Sequence, residues 1–158
     1  MSLFQKIMLF LLRLGLGVMF FYAGLSKLLN PTWSAAGYLN NAQTLSGLYK
    51  WFASPSVLPV INVINEWGLL LLGISLILGL FVRLSTVFGS VLMLLYYIPI
   101  LHFPYVGKTA FLIDDHVIFI LALLTLNAFR AGRVYGLEMR CSNLSICKKY
   151  QKIRNLLG

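Results

Sequence analysis

The sequence predicts an all-α integral membrane protein, a four-helix bundle with both termini cytoplasmic and an interfacial segment between helices 1 and 2. Three observations lead there. Of 158 residues, 59% are hydrophobic and only 11% charged, with a mean hydropathy of +0.85; soluble domains run about 45–50% apolar and about 25% charged. A globule this small cannot bury so much apolar surface, and a disordered chain has the opposite composition. The apolar residues gather into stretches long enough to cross a bilayer. The 13 basic residues are distributed unevenly between the two ends of those stretches. Two cysteines are too few for a disulfide framework.

The first stretch, Ile7 to Leu29, is broken only by Arg13 and Lys27 and predicts a span over about 6–28. Lys6 precedes it as in a signal peptide, but Arg13 interrupts the run and no small-x-small site follows cleanly, so it reads as a permanent helix. Apolar sequence then runs from Val60 to Leu101 with Arg83 inside it. One helix of that length would reach about 60 Å, twice the roughly 30 Å hydrocarbon core. Two spans, 60–82 and 84–101, folded back at Arg83 just after Gly79, are therefore expected. The fourth span, 113–129, opens on Asp114, Asp115 and His116. Residues 1–138 form the membrane domain and 139–158 a basic tail.

Asn30 to Pro59 is too polar to cross. Its Leu45, Leu48 and Phe52 recur at helical spacing among Trp33, Tyr38, Tyr49 and Trp51, which suits a helix at the membrane interface. In the tail, Ile146, Tyr150, Ile153 and Leu157 share a face away from Lys148, Lys149 and Lys152, the pattern of a surface-bound or partner-binding helix. With both termini on one side, that side holds ten basic residues and the other holds Lys27, Lys50 and Lys108. Cytoplasmic termini follow. The tail then faces anionic lipid rather than nucleic acid. Arg13 and Arg83 are expected to snorkel to the cytoplasmic surface. Ser75/Gly79 and Ser85/Gly89 have the small-xxx-small spacing of close helix approach.

Polar residues inside a membrane are expensive and each needs an explanation. On this topology Tyr22 and Lys27 end the first span, and Asn62, Asn65, Glu66 and Trp67 lie in the outer third of the second. Tyr96, Tyr97 and His102 end the third, and Asp114, Asp115 and His116 open the fourth. All four helices thus bring polar groups to one level near the outer leaflet. Two readings of Glu66 stand: an ion pair with Lys27 or His116 that fixes packing, or a proton-accepting carboxylate. His102 and His116 lack the spacing of a metal pair and suit an interfacial role, a proton shuttle or a hydrogen bond to a quinone carbonyl. Asp115 would hold the His116 tautomer, while Asp114 reads as a helix cap. Tyr96, Tyr97 and Trp67 read ordinarily as belt aromatics. Cys141 and Cys147 read as free thiols, and the Asn143–Ser145 sequon falls on the cytoplasmic side. No Gly-x-Gly-x-x-Gly, Walker or Gly-x-Ser-x-Gly motif occurs, so no metal, flavin or nucleotide is expected.

The run Tyr22-Ala-Gly-Leu-Ser-Lys-Leu28, the loop Trp33-Ser-Ala-Ala-Gly-Tyr38 and Asn65-Glu-Trp-Gly68 resemble the DoxX/DoxD family of small four-helix membrane proteins, as do Asp115-His116 and Gly132-Arg-Val-Tyr-Gly-Leu137. The likeness spans about residues 5–138. It implies association with membrane redox systems; the DoxD branch is similar to the membrane subunit of thiosulfate:quinone oxidoreductase. The function expected is that of a quinone-linked oxidoreductase subunit in the cell membrane, with a non-catalytic scaffold for redox partners or a small ion-coupled transporter as alternatives. Glu66, His116 and Asp115 are the expected catalytic groups. Tyr22, Lys27, Asn65, Trp67, Tyr97 and His102 are the expected substrate contacts. Quinone is the expected cofactor, and membrane lipid with a second redox subunit or further copies of the chain the expected partners.

Overall fold

The structure, a computed structural model, describes residues 1–107 and 110–141. The expected tail helix, Cys147, the Asn143 sequon and Lys108 lie outside the described residues. Helix α1 (Leu3–Leu28) starts on a capping box, in which Ser2 Oγ accepts from the Gln5 amide at 3.2 Å and Gln5 Oε1 accepts from the Ser2 amide at 2.8 Å. Short helices α2 (Ala36–Asn40) and α3 (Ser46–Phe52) follow, then α4 (Leu58–Leu78) and α5 (Val82–Ile100). A small antiparallel sheet of β1 (Leu101–His102), β2 (Tyr105–Val106) and β3 (Ala110–Phe111) leads into α6 (Asp115–Ala128). A 3₁₀ turn (Ala131–Arg133) and α7 (Leu137–Cys141) close the described chain.

Helices α1, α4 and α5 are each long and apolar enough to cross a membrane. Helix α6 is shorter than the expected 113–129. Its 14 residues reach about 21 Å, less than a hydrocarbon core of about 30 Å. It starts late because Asp114 is extended (φ −120°) and its carboxylate caps the amides of His116 (3.1 Å) and Val117 (3.3 Å). The reversal between α4 and α5 comes at Gly79–Phe81 rather than at Arg83, which lies in the first turn of α5. Gly79 ends α4 in the left-handed region (φ +67°), and a Cβ there would lie 2.7 Å from Gly136 Cα and 2.8 Å from Arg13 Nη1.

The four long helices pack in a ring, α1 mainly on α4 and α5 mainly on α6. The core between them holds Leu16, Phe20, Leu69, Leu72, Leu76, Leu92, Leu123 and Leu126. The outside is equally apolar: Leu71, Val87, Val91 and Leu121 are all more than half exposed, a surface that suits lipid and not water. Helices α1 and α4 approach so closely that a Cβ on Gly73 would run into the backbone of Phe21, and one on Gly24 into that of Leu70. The Ser75 and Ser85 pair is used within the chain: Ser85 Oγ lies 2.6 Å from Ser75 Oγ, which donates to the Leu80 carbonyl and clasps the α4–α5 turn. Gly89 accommodates Leu72 and Leu123.

Arg13 departs from expectation. It does not snorkel; it is 1% exposed. Nη1 donates to the carbonyls of Ala131 (2.5 Å) and Val134 (3.0 Å), and Nη2 to that of Tyr135 (3.3 Å). The turn after α6 has left-handed residues at Arg130 and Tyr135, and between them its carbonyls converge on one point. A guanidinium fork meets several such acceptors at once, which a solvated ammonium cannot. Buried Glu138 adds a compensating charge and accepts from Arg133 Nε at 3.2 Å, while its own amide donates to Gly79 O at 3.1 Å.

Replacing Arg13 by Met should lower stability in detergent by about 3 kcal/mol or more, because Glu138 and three carbonyls lose their buried cation; thermal unfolding measures this. Gly73→Ala should destabilise markedly in the same assay. Gly15→Ala, where nothing lies within 4 Å of the new Cβ, should be neutral or stabilising by up to about 1 kcal/mol.

Candidate functional site

One end of the bundle carries Lys27 in the last turn of α1, Asn65 in α4, Tyr96 near the end of α5 and His116 in the first turn of α6. The segment 30–57 folds back over this end as a cap. Its sequence periodicity pointed to a face of Leu45, Leu48 and Phe52, but Leu45 and Leu48 face outward and Tyr49 is the residue buried, at 2% exposure. Pro99 explains this inversion. Lacking an N–H, it cannot bond the Leu95 carbonyl one turn back, and the Tyr49 hydroxyl donates to that carbonyl instead at 3.0 Å. The cap also serves the end of α5 through Gln43 N to Pro99 O (2.8 Å), Thr44 Oγ1 to Leu101 O (2.5 Å) and the Tyr38 hydroxyl to Tyr96 O. Carbonyls at a helix end need such partners. On the α4 side, Asn62 Oδ1 accepts from the Ala35 amide at 3.0 Å.

Between cap and bundle lies a cavity of about 290 Å³. Trp33, Tyr38, Tyr49, Phe52 and Tyr96 give it aromatic walls, and Lys27, Asn65 and His116 supply its main polar groups. Lys27 Nζ sits 4.9 Å from the Trp33 ring centre and 5.8 Å from that of Tyr96, within cation–π range. The Glu66 carboxylate acts on this charge from the side without forming an ion pair with it. Asn65 is buried, with Nδ2 donating to Ile61 O at 3.3 Å and Oδ1 accepting from the Tyr96 hydroxyl. The His116 ring packs edge-on to Tyr96, and its Nδ1 lies 2.6 Å from Asp114 Oδ2. With that carboxylate accepting from Nδ1–H, the neutral ring keeps its lone pair on Nε2. Burial, with smaller contributions from Tyr49 and Asp114, pushes the Tyr38 hydroxyl up to about 12, and burial also raises Tyr49. Both stay protonated donors at neutral pH.

Of the residues expected at the site, Lys27, Asn65 and His116 line the cavity together. Tyr22 is 71% exposed on the outside of α1, and Trp67 stands exposed on α4. Glu66 is half-buried at the α1–α4 seam, its carbonyl close to Gly24, and does not line the cavity. Tyr97 donates to Leu112 O at 2.6 Å and ties down the approach to α6. His102 is exposed in the sheet. Asp114, rather than Asp115, holds His116, because a cap side chain folds back over the first turn and reaches position i+2; Asp115 is exposed. By sequence Tyr96 reads ordinarily as a belt aromatic, and Trp33, Tyr38 and Tyr49 as part of an interfacial helix. The excess of aromatics in that one polar loop was the signal that Trp33, Tyr38 and Tyr49 had a common target. Among the described residues no three His, Cys, Asp or Glu side chains come together to hold a metal.

The model of a family described as DoxX matches residues 8–102, from α1 through β1. The chain belongs to the DoxX family. The matched region of this DoxX protein includes Lys27, Asn65 and Tyr96 and stops before His116. No curated protein and no solved structure matches the chain.

Tyr49→Phe should lower stability by about 1 kcal/mol, leaving the part-buried Leu95 carbonyl without this donor. In a Pro99→Ala background, where the restored amide can reach that carbonyl, the same change should be weaker. A double-mutant cycle of thermal unfolding reads the difference.

Proposed function

We propose that this DoxX protein is the quinone-binding membrane subunit of an oxidoreductase in the cell membrane, with four crossings and both termini cytoplasmic. The observation that carries the reading is the aromatic-walled cavity with one cation, one amide and one carboxylate-held imidazole. Ligand pockets run about 300–1,000 Å³, so a cavity of about 290 Å³ suits a single flat ring, with an isoprenoid tail left in lipid. Charge distribution supports the orientation, with ten basic residues on the terminal side against three on the other.

A quinone would supply a two-electron, two-proton acceptor at the bundle end. The chain's own groups have matching roles. Trp33 and Tyr96 offer faces to a ring, and Asn65 Nδ2 retains a second N–H for a carbonyl oxygen. His116 Nε2 exchanges a proton with that oxygen's neighbourhood, and Asp114 stabilises the imidazolium form. Lys27 stabilises negative charge that develops on oxygen. It would equally favour an oxyanion donor of the thiosulfate type, the substrate that the family resemblance implies. Glu66 modulates Lys27 from outside the lining.

Trp33 makes binding measurable. Decylubiquinone titrated into the protein in nanodiscs should quench tryptophan fluorescence saturably. His116→Ala and Lys27→Gln should each weaken binding by about tenfold, the equivalent of one hydrogen bond at about 1.4 kcal/mol. Tyr22→Phe and His102→Ala should leave it unchanged. Non-saturating quenching, or equal binding by all four variants, would defeat the proposal.

A further inference from the structure

Helix α6 leaves roughly 9 Å of a hydrocarbon core about 30 Å thick uncrossed. The missing length lies at the cavity end, because at the other end the apolar run stops at Phe129, immediately before Arg130. Just ahead of α6 stand Phe111, Leu112 and Ile113, at 63%, 38% and 58% exposure. Ile118, Leu121 and Leu124 on α6 are exposed as well. The sheet before them has one aromatic face: His102 pairs with Tyr105, Tyr105 pairs with Phe111, and the Tyr105 and Phe111 rings meet edge-on at 6.0 Å. Val106 is buried on the other face. Phe103, in the β1–β2 turn, is 77% exposed.

Non-helical backbone survives at membrane depth only where its polar groups are satisfied internally. Several of those in the described residues here are. Leu112 N donates to Pro104 O (3.1 Å), Ile113 N to Phe111 O (2.6 Å) and Gly107 N to Ile100 O (3.2 Å), and Leu112 O accepts the Tyr97 hydroxyl (2.6 Å). A loop in water gains nothing from displaying Phe103, Tyr105, Phe111 and Ile113 together.

We infer that residues 101–107 and 110–114 are inserted in the bilayer: Phe111–Ile113 complete the fourth crossing beside the acyl chains, and the aromatic face of the sheet lies among the lipid headgroups. The partner of this surface is lipid. The inference rests on the membrane topology proposed above and not on quinone binding.

Spin labels test it, placed singly at Phe103→Cys, Phe111→Cys, Val91→Cys and Lys50→Cys in a Cys141→Ser, Cys147→Ser chain. The protein is reconstituted in phosphatidylcholine–phosphatidylglycerol vesicles, and label collisions with oxygen and with a water-soluble nickel chelate are compared. Val91, exposed midway along α5, and Lys50, exposed on the cap, give the lipid and water references. The Phe111 label should favour oxygen as Val91 does, and the Phe103 label should fall between the references. A Phe111 label as open to nickel as Lys50, with Val91 in lipid, overturns the inference and leaves the sheet to a protein partner. A Val91 label open to nickel overturns the membrane topology itself, and the insertion with it.

Discussion

Arg13 carries a charge into the closed end of the bundle, and the chain after α6 is shaped to receive it. An unpaired ion there would cost several kcal/mol, so the turn at 130–136 bends to present three carbonyls, and Glu138, which also pairs with Arg133, adds an opposing charge. These bonds tie α1 to the turn that follows α6. They also govern the glycines nearby: side chains on Gly79 or Gly136 would collide with the guanidinium, and one on Gly132 with the Glu138 carboxylate. One buried cation thereby sets the shape of the α4–α5 reversal and of the exit from α6.

The opposite end is organised by absence of a donor. Pro99 deprives α5 of one amide near its end, and the polar segment between α1 and α4 supplies the replacement through Tyr49. The cap is held chiefly by backbone carbonyls and by Asn62, with aromatic rings filling the space beneath. A cavity survives under it because those rings are rigid plates that meet at angles and cannot collapse as aliphatic chains would. Lys27, Asn65 and His116 reach that space from three different helices.

The two ends therefore use polar chemistry differently. At the Arg13 end the carbonyls of Ala131, Val134 and Tyr135 are committed to holding the guanidinium. At the cavity end Asn65 and Tyr96 satisfy each other, while among the described residues Lys27 rests on aromatic faces with no carboxylate in contact and His116 has a partner for only one ring nitrogen. Groups held in place with capacity to spare are what a ligand site requires.

Composition alone determined a membrane protein, since apolar residues in such excess have no aqueous fold, and helix-length apolar runs determined its long helices. The level at which polar groups gather was equally legible, because helix rise converts residue number into depth. Which of those groups meet was not. Tyr22 and Lys27 are five residues apart, about 140° around the helix, so when one faces the cavity the other faces outward; which of the two faces in depends on the rotation of α1, and the close contact at Gly24 and Gly73 fixes that rotation. Arg13 looked like a snorkelling residue because its acceptors lie more than a hundred positions away. Asp114 displaced Asp115 beside His116 through capping geometry, and Tyr49 turned inward because of a proline on another helix. Hydrophobicity acts along the chain and can be read there. Hydrogen-bond partners are chosen across it, and only the packed bundle decides them.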